Sequence, residues 1–302
     1  MVSGERAGRR LVRLFGQDGQ VHIGSVVGDE IGVLATDDML AALTTERLPA
    51  VVDRVPLLDP QSCVPPEPWK LLAPLDPPET WAAGVTYERS RDARLQESRV
   101  ADVYDLVYEA QRPELFLKDA AGRRTVGPGE PIATRADSAW TVPEPELAVV
   151  LDADCRPLAA TIGNDVSSRD IEGANPLYLP QAKIYAGACA LGPALLVPPD
   201  WSAPFDIELR ILSDDGEPLF HGRSSTSNMR RSLDELIDFL CRENPVPPGT
   251  VLLTGTGIVP PDEVTLLPGH TVEIHISGIG ALRNPVAVRA DTDQRREVGS
   301  RG

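Results

Sequence analysis

Between Val142 and Lys183 the chain sets out three carboxylates and an amine whose types and spacing suit a divalent cation and a 2-oxo acid. Glu144 and Glu146 stand two apart in Val142-Pro143-Glu144-Pro145-Glu146-Leu147 and lead into the apolar run 147–151, which reads as a strand. Residues two apart on a strand project from one face, so the two carboxylates are neighbours. Pro143 and Pro145 remove two ladder donors, which places them at a strand's start or on an edge, where side chains reach a cleft. Adjacent anions repel unless a cation lies between them. Taken alone, a Glu-x-Glu pair is also what a solvated acidic edge looks like. Asp165 adds a third carboxylate in a Gly163-Asn164-Asp165 turn after the strand-like 160–163, although an aspartate there also commonly satisfies its own turn.

Three oxygen ligands with no neighbouring His or Cys favour a hard ion, Mg²⁺ or Mn²⁺, over zinc. Octahedral coordination leaves positions for the ketone and carboxylate oxygens of a 2-oxo acid, and such chelation polarises the ketone and stabilises an enolate at C3. Three carboxylates exceed the charge of one dication, so a further cation is expected beside them. Lys183 is the candidate, because alternation in Gln181-Ala182-Lys183-Ile184-Tyr185 would put residues 181, 183 and 185 on one face of an extended segment.

The stretches Glu144-Pro145-Glu146-Leu147, Ile162-Gly163-Asn164-Asp165-Val166-Ser167-Ser168-Arg169-Asp170 and Leu252-Leu253-Thr254-Gly255-Thr256-Gly257 together resemble the fumarylacetoacetate hydrolase superfamily. The run Asp170-Ile171-Glu172-Gly173-Ala174-Asn175-Pro176 through Lys183 is similar to its 2-keto-3-deoxy-arabinonate (pentonate) dehydratase branch. So is Arg112-Pro113-Glu114-Leu115-Phe116-Leu117-Lys118 with the later 126–132. The resemblance covers residues 75–290. It implies that Glu144, Glu146 and Asp165 are the metal ligands, that Lys183 is the amine at the reacting centre and that Glu114 is a second acid/base group. Thr256 with the Gly255 backbone would hold the substrate carboxylate, and Arg89 and Ser90 would be further substrate contacts. It also implies a homodimer or a higher assembly.

One departure bears on the reaction. Hydrolases of the superfamily carry Tyr-x-x-His-x-x-Glu on the segment that closes over the site, and here the matching stretch is Tyr87-Glu88-Arg89-Ser90-Arg91-Asp92-Ala93. Serine and alanine stand at the histidine and glutamate positions. His22, His221, His270 and His275 are all remote in sequence. A neutral serine does not take a proton from water near neutral pH, whereas imidazole does. Elimination needs no attacking water. It requires only removal of a C3 proton, by Lys183 or Glu114, and departure of a C4 hydroxyl with acid assistance. The expected activity is therefore Mg²⁺-dependent dehydration of a 2-keto-3-deoxy sugar acid to 2,5-dioxopentanoate. The alternatives are an acylpyruvate or diketo-acid hydrolase and a non-catalytic protein of the same fold.

The elements that must position these groups read as β-rich. Strand signals fall at 11–15, 21–27, 31–35, 81–85, 205–212, 251–253, 271–276 and 286–288, with short helices at 39–43 and, behind a Ser232-Leu233-Asp234-Glu235 capping box, at 233–240. Helical periodicity marks 93–110, and recurring prolines between 56 and 78 mark a connection. The fold class expected is β-rich α+β, with the family's mixed β-sandwich roll as the implied architecture. Its divisions are a small N-terminal β-rich domain (residues 1–70), a catalytic domain (71–290) and a disordered tail (291–302).

A net charge of −16 repels phosphate, which disfavours nucleic acid and anionic membranes as partners and leaves a small anionic 2-oxo acid to be drawn in locally. Cys63, Cys155, Cys189 and Cys241 are widely spaced, so the pattern indicates neither a zinc knuckle nor a disulfide framework. No apolar run approaches the roughly 20 residues of a membrane span. A cytoplasmic location is expected.

Overall fold

A computed structural model describes residues 8–91 and 107–288. The tail and most of the helix expected at 93–110 lie outside those residues. Strands β1 (Arg9–Phe15), β2 (Val21–Val27), β3 (Glu30–Leu34) and β4 (Val51–Pro56) form an antiparallel meander, with helix α1 (Met39–Thr44) before β4 and short β5 (Lys70–Leu71) paired to β1. The chain continues through β6 (Glu79–Gly84), β7 (Glu114–Ala120), β8 (Thr125–Val126), β9 (Ile132–Thr134), β10 (Thr141–Val142), β11 (Pro145–Leu151), β12 (Pro157–Asp165) and β13 (Ser167–Ser168). After helices α2 (Arg169–Ala174) and α3 (Leu179–Lys183) come β14 (Cys189–Val197), β15 (Asp206–Leu212), β16 (Pro218–Ser225), α4 (Leu233–Cys241), β17 (Val251–Leu253), β18 (Thr271–Ile276) and β19 (Gly280–Val288).

The larger sheet runs β4-β3-β2-β1-β14-β12-β11-β17-β6-β7, and a five-stranded sheet runs β16-β15-β18-β19-β9. The N-terminal meander is thus continuous with the catalytic strands, through antiparallel pairing of Arg9–Leu11 on β1 with β14. Strand β11 shows why the large sheet lies in the middle. Leu147, Val149 and Leu151 face one core cluster, shared with Ile207, Leu209 and Ile211 of the smaller sheet and with Leu236, Ile237 and Leu240 of α4. Ala148 and Val150 face the other, shared with Met39, Ala42 and Leu43 of α1. A period of two between two apolar layers is what a strand covered on both faces requires.

Local chemistry sets the element ends. Ser232 accepts a 3.1 Å bond from the Glu235 amide and caps α4 as the sequence predicts. The alternation seen at 181–185 is overturned, because residues 179–183 form α3 with Pro180 in its first turn. Proline is pre-set for that position and lacks a donor the helix would leave unpaired anyway. The cysteine reading is corrected as well. Cys155, in the turn after β11, is bonded to Cys241, the last residue of α4, with Cα atoms 6.5 Å apart. A separation of 86 residues hides such a pair from spacing arguments.

Candidate active site

Pro145 opens β11, so the missing proline donors fall where the ladder begins, and Glu144 and Glu146 flank it at the sheet's end. Antiparallel pairing sets Pro145 opposite Asn164 and Glu146 opposite Gly163, which delivers Asp165, the last residue of β12, to the same end. The junction is tied twice. The Glu144 amide donates to Asn164 Oδ1 at 3.1 Å, and the Asp165 amide donates to the Glu144 carbonyl at 2.9 Å. All three carboxylates are buried, and each offers an oxygen within 4.8 Å of the others.

Basic groups answer this charge. Lys183 Nζ, delivered by the end of α3, donates to Glu144 Oε2 at 2.5 Å and Asp165 Oδ2 at 3.0 Å. The Arg169 guanidinium, from the first residue of α2, donates to Glu144 Oε1 at 2.8 Å. Lys118, fully buried on β7, is ion-paired with Asp165 Oδ1 and donates to the Val166 carbonyl at 3.0 Å and the Lys183 carbonyl at 2.6 Å. The two carbonyls take two of the ammonium's three donors, and the contact with Asp165 Oδ1 is one of charge. Lys118 thereby fixes both Asp165 and the turn carrying Lys183. The β6–β7 register slips here, from Thr80↔Asp119 to Trp81↔Leu117, so Lys118 is the extra residue of a bulge. Bulges re-aim side chains in this way.

Three cations therefore face three carboxylates. Lys183 alone was expected from the charge balance. Lys118 and Arg169 escaped because lysine and arginine are rarely buried and because a bulge is silent in the spacing.

Glu146 has a different environment. Its Oε2 accepts the Gly255 amide at 2.6 Å, and burial, with Asp165 and Glu144 adding to it, pushes its carboxyl well above the ordinary range, against the pull of Lys183 and that amide. A divalent cation among the three carboxylates would reverse this. Oxygen-only donors, their clustering and a carboxyl disfavoured as an anion without a cation all fit a hard dication.

The pocket above the carboxylates is lined by Ala83, Gly84, Val85, Ser90, Glu114, Phe116, Glu172, Lys183 and Thr256. Glu114 is partly buried on β7 and packs on Gly84, where a Cβ would fall 2.0 Å from its Oε2. Ser90 is buried, and its hydroxyl donates to the Tyr87 carbonyl at 2.8 Å. Arg89 is exposed and does not line the pocket. Thr256 reaches the pocket while its hydroxyl bonds with the Ile258 backbone at 3.2 Å. The Gly255 amide, expected at a substrate carboxylate, is instead directed to Glu146. None of the four histidines lines the pocket. Glu172, which the sequence reading left without a role, does. A roomier cavity of about 620 Å³ beside Trp69, Lys70, Glu273 and Arg283 contains none of these groups.

Comparison with known proteins agrees with this geometry. Residues 81–287 match the family model described as fumarylacetoacetate (FAA) hydrolase, C-terminal. The chain is 49% identical over 227 residues to 2-dehydro-3-deoxy-D-arabinonate dehydratase of Saccharolobus solfataricus, covering 73% of this chain and 75% of the relative. It is 49% identical over 214 residues to a probable 2-keto-3-deoxyxylonate dehydratase of Haloferax volcanii, covering 70% and 73%. Among solved structures, 2-keto-3-deoxy-D-arabinonate dehydratase complexed with magnesium and 2,5-dioxopentanoate superposes with a TM-score of 0.82 at 40% identity, covering 93% of this chain and all (100%) of that one.

Proposed function

The chain belongs to the fumarylacetoacetate hydrolase family, and from that premise we propose that it is a magnesium-dependent hydro-lyase converting a 2-keto-3-deoxy pentonate to 2,5-dioxopentanoate and water. The observation that carries the reading is the buried Glu144, Glu146 and Asp165 cluster beneath a pocket that presents carboxyls and an amine but no imidazole. The dehydratases at 49% identity and the product and magnesium named for the superposed structure support it.

In this reading Glu144, Glu146 and Asp165 hold the ion, with Mn²⁺ acceptable to the same donors. Bound there, the ion supplies Lewis acidity to the substrate's ketone. Lys183 bridges Glu144 and Asp165 and so lies beside the ketone end of the substrate, where its charge favours an enolate. Glu114 moves the C3 proton, held against Gly84 on the pocket wall. Lys118 and Arg169 hold the carboxylates in place. Ser90 and Thr256 contact the substrate, whereas Arg89, exposed and outside the pocket lining, is given no contact. Ser90 has no basic nitrogen with which to activate water, which disfavours carbon–carbon hydrolysis.

We also assign the protein to the cytoplasm as a homodimer or higher assembly. The Cys155–Cys241 bond gives that location no support. The net charge and the absence, among the described residues, of a helix long and apolar enough to cross a membrane support the location. Light scattering of the purified protein tests the assembly, and a monomer would refute it.

Incubation with Mg²⁺ and 2-keto-3-deoxy-pentonate tests the activity. A semialdehyde product that an added dehydrogenase oxidises is expected. Pyruvate, or another cleaved acid released from a diketo substrate, would overturn the reading.

A further inference from the structure

Among the described residues, the ionisable side chains lining the pocket are Glu114, Glu144, Glu146, Asp165, Glu172 and Lys183. The proposed dehydration gives three of these to the ion and gives Lys183 and Glu114 to the C3 end. It then lacks a group for the oxygen that leaves C4, a poor leaving group as hydroxide. Glu172 is the one that remains.

Its placement is unusual for a short helix. The two buried side chains of α2 are Arg169 and Glu172, while Ile171 beside them is only partly buried. Residues three apart share a helix face, so α2 turns a charged face inward where an amphipathic helix would turn an apolar one. Arg169 on that face reaches Glu144. One turn later, Glu172 lines the same pocket from α2, a different element from the β7 strand that carries Glu114. A carboxyl is expensive to bury and is the right chemical type to give up and take back a proton.

Resting on the dehydratase reading, we infer that Glu172 is the catalytic acid that protonates the departing C4 hydroxyl. The base takes a C3 proton, and the C–H pair becomes an enolate between C2 and C3. That pair forms C3=C4 as the C4–O bond breaks, and the oxygen leaves as water with the Glu172 proton. The product of this step is a 5-hydroxy-2-oxo-3-enoate, with Glu172 left as a carboxylate. Glu172 then takes a C5 proton while the first base returns its proton to C3, which leaves an enol at C4 and C5 that tautomerises to 2,5-dioxopentanoate. Both groups are reset, and one water is lost overall.

Glu172→Gln separates this role from a structural one when three rates are measured. Loss of general-acid help is expected to lower dehydration by about 100-fold or more. Exchange of the C3 protons of 2-oxopentanoate with D₂O, followed by NMR, needs no leaving group and is expected within about threefold of wild type. Elimination of fluoride from the 4-deoxy-4-fluoro analogue needs little proton assistance and is expected within about tenfold of wild type. Glu172→Asp, which keeps a carboxyl, should recover part of the dehydration rate. Equal losses of dehydration and exchange, a fluoride rate that falls as far as the hydroxyl rate, or a nearly unchanged dehydration rate would each overturn the assignment. Failure of the wild type to dehydrate the sugar acid at all would instead sink the dehydratase reading, and the inference with it.

Discussion

Glu146→Gln is the most informative single change, because it removes a charge and retains the hydrogen bond. An amide oxygen can still accept the Gly255 N–H that Glu146 Oε2 accepts at 2.6 Å. In the metal-free protein, burial and then the Asp165 and Glu144 charges raise the Glu146 carboxyl well above 4.5, so the fold retains a proton there that the unfolded chain has lost. The sign follows from linkage. The stabilisation is fully present below 4.5 and is lost as pH rises through the folded value. Within that window each pH unit removes up to about 1.4 kcal/mol. At about 2–4 °C per kcal/mol for a domain of this order of size, that is about 3–6 °C of Tm per unit. Thermal melts from pH 5 upward, in chelator and in saturating Mg²⁺, measure it. Metal-free wild type is expected to lose Tm with rising pH more steeply than metal-free E146Q. The stabilisation that Mg²⁺ gives to wild type is expected to grow with pH, because the ion displaces a proton. Parallel melting profiles for wild type and E146Q, or an equal gain from Mg²⁺ at every pH, would refute the argument.

Gly84→Ala places a Cβ 2.0 Å from Glu114 Oε2, so the carboxylate must swing away; kcat is expected to drop about 10²-fold with a Tm close to wild type, and unchanged turnover would count against Glu114 as the proton carrier. Lys118→Met leaves Asp165 short of a buried partner and strips the Val166 and Lys183 carbonyls of a donor, a destabilisation of about 3–5 kcal/mol in denaturant unfolding. A loss under about 1 kcal/mol would mean that the pair contributes little. Reducing the Cys155–Cys241 bond, or replacing both cysteines by serine, opens a loop of 86 residues and is expected to cost about 2–5 kcal/mol while leaving kcat unchanged, since neither residue lines the active pocket; a large kcat loss would contradict that separation.

The clustering of Glu144 and Glu146 was legible in the sequence because residues two apart on a strand share a face, and Pro145 stands at the first residue of β11, one of the two places open to it. Most core strands were legible for the same reason, since β18 alternates Val272, Ile274 and Ile276 inward. The approach of Lys183 was not, because five residues that alternate in polarity suit a strand and a helical turn alike, and Pro180 in the first turn was the signal that separated them. Lys118 depended on a bulge in β7 and Arg169 on an ion pair from the start of α2 to Glu144, just before β11, both products of tertiary pairing. Glu172 lay in the quoted motif, yet nothing in its spacing marked the inward face of α2. The histidine-to-serine change at Ser90 was legible at once, and the structure puts that serine at the pocket wall.

Diffraction from crystals grown with Mn²⁺ and a 2-oxo acid, read as an anomalous difference map, tests the core of this account most directly. One ion is expected about 2.2 Å from an oxygen of each of Glu144, Glu146 and Asp165, with the ligand's ketone and carboxylate oxygens completing its shell and Glu114 and Glu172 along the ligand's carbon chain. An ion bound elsewhere, or a 2-oxo acid seated away from these carboxylates, would contradict it.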